Sequence, residues 1–198
     1  MAKFFGNLHL VLVVGLIAAI AVMFGYAESI PVTVNSVFRW LHVFFGILWI
    51  GLLYYLNFVQ VPTMPAIPAE QTGAINSHIA PKVLFFFRYG ALFTVLTGLT
   101  VAHVSGYFFS PGSATNALAF NGEGAVNLIG LGMWLALIMA FNVWFIIWPA
   151  QKKILNIVPG ASDEEKAKLR PRALAASRLN TLLSLPMLYC MVSANLGN

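Results

Sequence analysis

The chain has 198 residues, of which 60% are hydrophobic and only 9% are charged. A soluble domain of this size carries about 25% charged residues, so the composition argues against an ordinary water-soluble enzyme and indicates a protein of the lipid bilayer. The net charge of +5 does not indicate nucleic acid as a partner, because the basic residues cluster beside apolar segments, as membrane topology requires. The single cysteine, Cys190, excludes a disulfide within the chain and a cysteine-rich zinc or iron–sulfur site.

Five apolar stretches are long enough to cross a bilayer, which takes about 20 residues. They cover approximately residues 8–26, 34–59, 83–108, 125–148 and 173–196. We therefore predict an all-α integral membrane protein in which a bundle of five transmembrane helices forms a single membrane domain over residues 1–198. Pro62 is predicted to end the second helix, Pro81 to precede the third and Pro149 to end the fourth, because proline cannot donate a backbone hydrogen bond.

Loop charges predict the orientation of the bundle. The loop after the fourth helix carries Lys152, Lys153, Lys166, Lys168, Arg170 and Arg172. Lys3 and Lys82 fall on the same side if five helices span the membrane, whereas the loops 27–33 and 110–124 contain no Lys or Arg. The positive-inside rule then places the N-terminus in the cytoplasm and the C-terminus outside a bacterial inner membrane. The first stretch is similar to a signal peptide, but its apolar run is long, so we expect an uncleaved helix.

Two histidines lie at the same predicted depth on neighbouring antiparallel helices. His42 lies about eight residues after the start of the second helix, and His103 lies about five residues before the end of the third. Both therefore sit about 10 Å inside the outer boundary of the membrane. A neutral imidazole inside a membrane is costly unless it is hydrogen-bonded or ligated. A hydrogen bond to a neighbouring helix explains a lone histidine, whereas the matched depth of two favours a shared metal, above all haem iron.

The residues around His42 fit a haem. Arg39 lies three positions earlier on the same helix face, where a guanidinium can pair with a haem propionate. Gly46 lies one turn deeper and leaves room for a porphyrin ring, and Trp49 follows on the same side of the helix. We therefore predict a b-type haem with His42 and His103 as axial ligands and with Arg39, Gly46 and Trp49 beside it.

Two other metal arrangements remain open. His9 and His78 belong to the opposite, cytoplasmic edge and are candidates for a second haem site. Copper at His42 and His103 is the alternative to haem, because imidazoles also bind copper, although we expect no methionine or cysteine cluster near these histidines.

Polar residues near the inner ends of the last two helices predict a second cluster. Asn142 on the fourth helix lies at a depth comparable with that of Asn180 and Ser184 on the fifth. Hydrogen bonds among them would hold the helices together, or the residues would line a pocket for a quinone or a small anion. Ser162 followed by acidic residues predicts the start of a helix on the cytoplasmic side.

Several stretches resemble the membrane domain of the bacterial urate oxidases that are fused to cytochrome c. They are Arg39-Trp40-Leu41-His42, Trp49-Ile50-Gly51, Leu53-Tyr54-Tyr55-Leu56-Asn57, Arg88-Tyr89-Gly90-Ala91, Thr97-Gly98-Leu99, Phe141-Asn142-Val143-Trp144 and Ala176-Ser177-Arg178-Leu179-Asn180. A more distant likeness, in the histidine and Trp-x-Gly pattern of the second helix, reaches the haem-containing membrane protoporphyrinogen oxidases and the copper-resistance membrane proteins.

The resemblance implies a helical bundle, a haem and a route for electrons toward periplasmic cytochrome c. Because this sequence carries no fused cytochrome c domain, we expect a separate cytochrome to dock at the outer face. The sequence thus favours a cytochrome-like electron-transfer protein. The alternatives are a membrane oxidase of urate or a porphyrinogen that works with a partner cytochrome, and an accessory subunit of a larger membrane complex. Faces of small residues also allow a homo-oligomer.

Overall fold

The structure is a computed structural model that describes residues 2–110 and 113–196. In this part of the chain, five helices are long and apolar enough to cross a membrane. We number them α1 to α5, and they span Leu8–Gly25, Val34–Ala66, Ala69–Val104, Ala125–Ile154 and Asp163–Leu196. For the described residues, the predicted all-α class and the number of long apolar helices are confirmed.

The chain divides into two compact units between Val37 and Phe38. The first unit contains α1 and the first residues of α2. The side chain of Asn7 caps α1, because its Oδ1 accepts a hydrogen bond of 3.2 Å from the backbone three residues later. Thr33 and Ser36 cap the start of α2 reciprocally, each side-chain oxygen accepting from the other residue's backbone N–H. Local side chains therefore set where both helices begin.

Each of α2, α3 and α4 contains a π-helical segment, at Tyr55–Gln60, Ile75–Ile79 and Asn142–Ile147. A proline follows each segment two residues after its end, at positions 62, 81 and 149. Proline has no N–H to donate, and its ring crowds the preceding turn. We attribute the wider π turn to this ring, which it accommodates without ending the helix. The predicted helix boundaries at these three prolines are therefore wrong, because each helix continues through its proline.

The core of the second unit lies between α2, α3, α4 and α5. Its largest fully buried side chains include Trp49 and Leu53 of α2, Phe87 of α3 and Met139 of α4. Gly90 allows α3 to approach α2 closely, since a Cβ at this position would lie 3.3 Å from the backbone nitrogen of Trp49. This contact fixes the register of two helices that carry candidate site residues.

Buried polar side chains join α5 to α2 and α4 at one end of the core, which we call the inner end. Asn142 Nδ2 donates to Asn180 Oδ1 at 2.9 Å, and Asn180 Nδ2 donates to the Met139 carbonyl at 3.0 Å. The Tyr54 hydroxyl lies 2.9 Å from Ser184 Oγ, within hydrogen-bond distance. The predicted hydrogen bond between Asn142 and Asn180 is therefore confirmed, whereas Ser184 bonds to Tyr54 of α2 and not to the asparagines.

Ser162 caps the start of α5 as predicted. Its Oγ accepts a hydrogen bond of 3.1 Å from the backbone N–H of Glu165. The acidic first turn also forms ion pairs, between Lys153 and Glu165 at 2.5 Å and between Lys168 and Glu164 at 2.7 Å. These groups are exposed, so the pairs contribute little to stability, but the Lys153–Glu165 pair joins the end of α4 to the start of α5.

The connection between α3 and α4 folds back onto the bundle. The Tyr107 N–H donates to the Ala102 carbonyl at 2.8 Å, and the Tyr107 carbonyl accepts from the N–H of Ala117, which is fully buried. Trp134 of α4 donates its indole N–H to the Leu118 carbonyl at 2.9 Å. The connection therefore packs against the end of α3 and the first half of α4.

Candidate functional site

An apolar cavity of about 760 Å³ lies within the second unit. Four helices line it, and the lining includes Arg39, His42, Gly46 and Trp49 of α2. The four residues of the second helix that were predicted to surround a cofactor therefore share one cavity. Its volume falls within the range of about 300–1,000 Å³ that is typical of sites for small molecules and cofactors.

The backbone of α3 orients the imidazole of His42. His42 Nδ1 lies 2.8 Å from the Thr94 carbonyl oxygen. Because a carbonyl only accepts, the neutral ring must carry its proton on Nδ1 and donate it to Thr94. The Nε2 lone pair is then available, and no described residue forms a hydrogen bond with Nε2. An Nδ1–H bonded to a backbone carbonyl is also how proteins commonly orient a histidine that binds metal through Nε2.

Gly98 of α3 makes the space that this ring occupies. A Cβ at position 98 would lie 2.7 Å from Cε1 and 2.9 Å from Nδ1 of His42, which is closer than real Cβ atoms approach their neighbours. At Gly46, in contrast, a Cβ would meet only the Thr94 methyl, 4.0 Å away. Sequence reasoning singled out Gly46 but missed Gly98. The antiparallel arrangement of the second and third helices was the signal that could have paired Gly98 with His42.

At one end of the core, which we call the outer end, a hydrogen bond joins α2 to α5 beside the cavity. Arg39 Nη1 donates to Asn195 Oδ1, and both residues line the cavity. Asn195 Nδ2 in turn donates to the Met191 carbonyl at 2.7 Å, which holds the amide in place. Arg39 thus brings a positive charge to the cavity, as predicted for a group that meets a haem propionate. Asn195 was not among the residues predicted for the site.

Three methionines line the same cavity, namely Met133 of α4 and Met187 and Met191 of α5. They are far from His42 in the sequence and share its cavity only because α4 and α5 pack against α2 and α3. The expectation that no methionine cluster lies near the histidines is therefore wrong for His42. Thioether sulfurs are soft ligands that suit iron in cytochromes and also Cu(I).

His103 lies outside the lining of this cavity. Its side chain is exposed, and Nδ1 lies 3.2 Å from the Phe108 carbonyl oxygen. The hydroxyl of Ser110 donates to the His103 carbonyl, so the residue is tied to the connection after α3. Ala102, the preceding residue, does line the cavity. The structure therefore brings one member of the predicted histidine pair to the cavity, and the pairing itself stays a prediction.

His9 and His78, the candidates for a second haem, are both exposed. His9 belongs to the first unit, and His78 lies in the π-helical segment of α3 in the second. Within residues 2–110 and 113–196, no group of three or more His, Cys, Asp and Glu side chains is placed to hold a metal ion. A second haem site stays a prediction.

The lining of the cavity fits a haem that is bound without covalent attachment. The Nε1–H of Trp49 is buried and has no hydrogen-bond partner among the described residues, so it can donate to a group inside the cavity. Cys190 is the single cysteine, so the Cys-x-x-Cys-His attachment of c-type haem cannot form. An imidazole whose Nε2 has no partner among the described residues, a cation and apolar walls are compatible with the predicted b-type haem, which stays a prediction.

The cavity opens sideways between α2 and α5. Val43 and Ile47 of α2 and Leu188 and Val192 of α5 line it and are also exposed on the outside of the bundle. Ile47 is 69% exposed, so the opening lies on a strongly apolar face. Such a face suits contact with lipid tails, and an apolar molecule dissolved in the bilayer could reach the cavity through it.

Comparison with known proteins finds one family match. Residues 112–197 match the family described as urate oxidase N-terminal. The matched segment includes α4, α5 and the three methionines of the cavity, whereas His42 and Gly98 lie before it. No curated protein and no solved structure matches the chain. The resemblance to the urate oxidases that was noted in the sequence is confirmed for this segment, which is similar to the N-terminal part of that family.

Proposed function

We propose that this chain, which residues 112–197 relate to the urate oxidase family, is a membrane electron-transfer protein that holds a b-type haem in the cavity beside His42. The observation that carries the proposal is the orientation of His42. Its Nδ1–H donates to the Thr94 carbonyl, and its Nε2 has no hydrogen-bond partner among the described residues at the wall of a cavity of about 760 Å³. A bound haem would supply an iron that accepts and releases one electron.

The residues of the chain would hold and tune this group. The Thr94 carbonyl and the absent side chain at Gly98 keep the imidazole in one orientation, which supports ligation through Nε2. Arg39 would pair with a propionate, and Asn195 steadies its guanidinium. The apolar walls would exclude water and raise the cost of charge on the iron, so they help to set the reduction potential.

His103 is the second ligand that sequence reasoning predicts. To bind the same iron, its ring would have to leave the Phe108 carbonyl and turn toward the cavity that Ala102 lines. A second haem between His9 and His78 is likewise open to test, and copper is the alternative metal at His42.

The proposed location is the bacterial inner membrane, with the N-terminus in the cytoplasm and the cavity near the periplasmic side. Lys152 and Lys153 lie at the end of α4, whereas Ala125, at its start, lines the cavity. These two lysines therefore lie at the end of α4 opposite to Ala125, which agrees with the orientation that the positive-inside rule predicts. A separate periplasmic cytochrome c would dock at the outer face and exchange electrons with the haem.

Haem content and spectrum of the purified chain test the proposal. We expect a b-type pyridine haemochrome spectrum and stoichiometric iron in the wild type, and loss of both in His42→Ala. His9→Ala and His78→Ala serve as matched controls and should keep the haem at the cavity. Circular dichroism and size-exclusion chromatography must show that each variant is folded. An iron-free wild type, or a folded His42→Ala protein with unchanged haem, would contradict the proposal, and copper without iron would favour the copper alternative.

Electron transfer itself needs a kinetic measurement. The reduced protein is mixed rapidly with oxidised soluble cytochrome c, and reoxidation of the haem is followed by absorbance. Reoxidation that is fast and slows with rising ionic strength would support docking of a cytochrome at the outer face. Haem that stays reduced in the presence of excess cytochrome c would argue against this partner.

Oxidation of urate is the second candidate function, and the match to the urate oxidase N-terminal family favours it. The cavity lining contains no Asp or Glu among the described residues, so a carboxylate base is lacking beside His42. The purified haem-loaded chain is incubated with urate, with and without cytochrome c. Consumption of urate coupled to reduction of cytochrome c would establish the oxidase, and the same assay with a porphyrinogen tests the related alternative.

A further inference from the structure

Two hydrogen-bonded links fix the register of α2 against α5. At one end Arg39 donates to Asn195, and further along the Tyr54 hydroxyl lies 2.9 Å from Ser184 Oγ. Residue numbers rise on α2 while they fall on α5, so the two helices are antiparallel. Residues between the two links on either helix line the cavity.

The Arg39–Asn195 hydrogen bond places Met191 at about the level of His42. His42 lies three residues after Arg39, and Met191 lies four residues before Asn195. One helical turn takes about 3.6 residues, so each of the two residues lies about one turn from the same hydrogen bond, in the same direction along the bundle. Both side chains line the cavity, whereas that of His103 does not.

The surroundings of Met191 leave its thioether able to reach a group in the cavity. Its carbonyl is held by the side-chain amide of Asn195 at 2.7 Å, while the side chain itself is only half-buried. A Cβ at Gly132 would lie 3.4 Å from the Met191 methyl, an ordinary van der Waals contact, so the end of the Met191 side chain lies beside α4. Met187, one turn deeper, is buried within the core cluster, and Met191, which is less buried, packs against the same cluster.

We propose that the Met191 thioether is the second axial ligand of a haem whose first ligand is His42 Nε2. The inference rests on the proposed function, because it assigns the opposite side of the same iron. A thioether is a softer ligand than imidazole and favours ferrous iron, so histidine–methionine ligation gives a higher reduction potential than two histidines. The haem would then have a potential close to that of a c-type cytochrome, which suits exchange of electrons with such a partner.

Spectroscopy of the haem-loaded protein tests the assignment. In the ferric wild type we expect a low-spin spectrum with the weak long-wavelength charge-transfer band of iron–thioether ligation, in absorption and in magnetic circular dichroism. Met191→Leu should keep its haem, lose this band, become high-spin and bind carbon monoxide readily when reduced. Met191→His should restore a low-spin spectrum at a lower reduction potential. Met187→Leu and Met133→Leu are matched controls and should keep the wild-type band.

Either of two results would overturn the inference. If the wild type lacks the thioether band, or Met191→Leu keeps the wild-type spectrum while His103→Ala becomes high-spin, the second ligand is not Met191, and the haem proposal still holds. If the wild type binds no haem, the proposed function fails first. Haem content thus separates the two failures. If Met191→Leu does not fold, the wild-type band together with its persistence in Met187→Leu and Met133→Leu assigns the ligand, and its loss in either of those variants overturns the inference.

Discussion

The two ends of the α2–α5 pair treat buried polar groups in opposite ways. At the inner end, Asn180 of α5 donates to the Met139 carbonyl and accepts from Asn142, and both partners lie on α4. At the outer end, His42 has one nitrogen bonded to the backbone of α3 and the other without a partner among the described residues. The difference teaches that Asn180 serves to join two helices, whereas the hydrogen bond of His42 orients its ring and leaves one nitrogen for another partner.

The geometry of the helices explains the contrast. At the inner end small and medium polar residues, Ser184 and Asn180, let α5 approach closely, and both are fully buried. At the outer end, the long side chain of Arg39 forms the hydrogen bond to Asn195 that joins α2 and α5, and both residues line the cavity. The inner end therefore stabilises the bundle, and the outer end forms a site.

Of the changes proposed for the two ends, replacement of Gly98 should have the largest effect, because it displaces the His42 ring. In Gly98→Ala the new Cβ would lie 2.7 Å from His42 Cε1, so the ring must move and its bond to Thr94 must lengthen. Loss of the group that orients a metal-binding histidine typically costs 10- to 100-fold in affinity, so we expect about that loss of haem affinity. Titration of the apoprotein with haem, followed at the Soret band, measures it.

Gly51 supplies the matched control for this variant. It lies on α2, lines the same cavity, and a Cβ there would meet nothing within 4 Å. Gly51→Ala should therefore bind haem as the wild type does. Equal haem affinity in Gly98→Ala and Gly51→Ala would show that the position of the His42 ring does not matter for binding.

The next largest effect should come from the inner end. Asn180→Leu removes two buried hydrogen bonds and leaves Asn142 without its partner. Hydrogen bonds between membrane helices are worth about 0.6 to 2 kcal/mol, so we expect a loss of about 1–2 kcal/mol in unfolding free energy with an unchanged haem spectrum. Unfolding in detergent, followed by circular dichroism, measures the loss.

A double variant shows whether the two asparagines act as a pair. Replacing both partners by apolar groups of similar shape removes the bond without leaving an unpaired group. Asn142→Leu with Asn180→Leu should therefore cost less than the sum of the two single changes. Strictly additive losses would mean that the Asn142–Asn180 hydrogen bond contributes nothing of its own.

Apolar length and periodicity were sufficient to predict the class of fold, and the residues of α2 at the site were found because they share one helix face. The helix boundaries at the prolines could not be predicted in this way, because a π turn before Pro62 or Pro149 leaves no mark in an apolar run. The register between helices was also hidden. Gly98, Asn195 and Met191 therefore emerged only when the packing of α2 against α3 and α5 was known.

Removing the charge of Arg39 should sharpen the view of the outer end with a smaller effect. Arg39→Gln keeps a side chain that can still hydrogen-bond to Asn195 but takes away a cation beside the proposed haem. The positive charge disfavours ferric iron, so its loss should lower the reduction potential, on the order of tens of millivolts for an exposed group. Redox titration at two salt concentrations measures the shift. A potential that is unchanged at low salt would place the haem away from Arg39.

Trp49→Phe should have the smallest effect and gives the most local information. The indole N–H is buried without a partner among the described residues, so the apoprotein loses no hydrogen bond when it is removed. Phe is smaller, and we expect the apoprotein to lose only about 1 kcal/mol, since aromatic area and some packing are given up. If the N–H donates to a group in the cavity, the haem-loaded protein should lose more stability than the apoprotein does. Thermal unfolding of both forms measures this difference, and equal losses would mean that the Trp49 N–H does not contact the bound group.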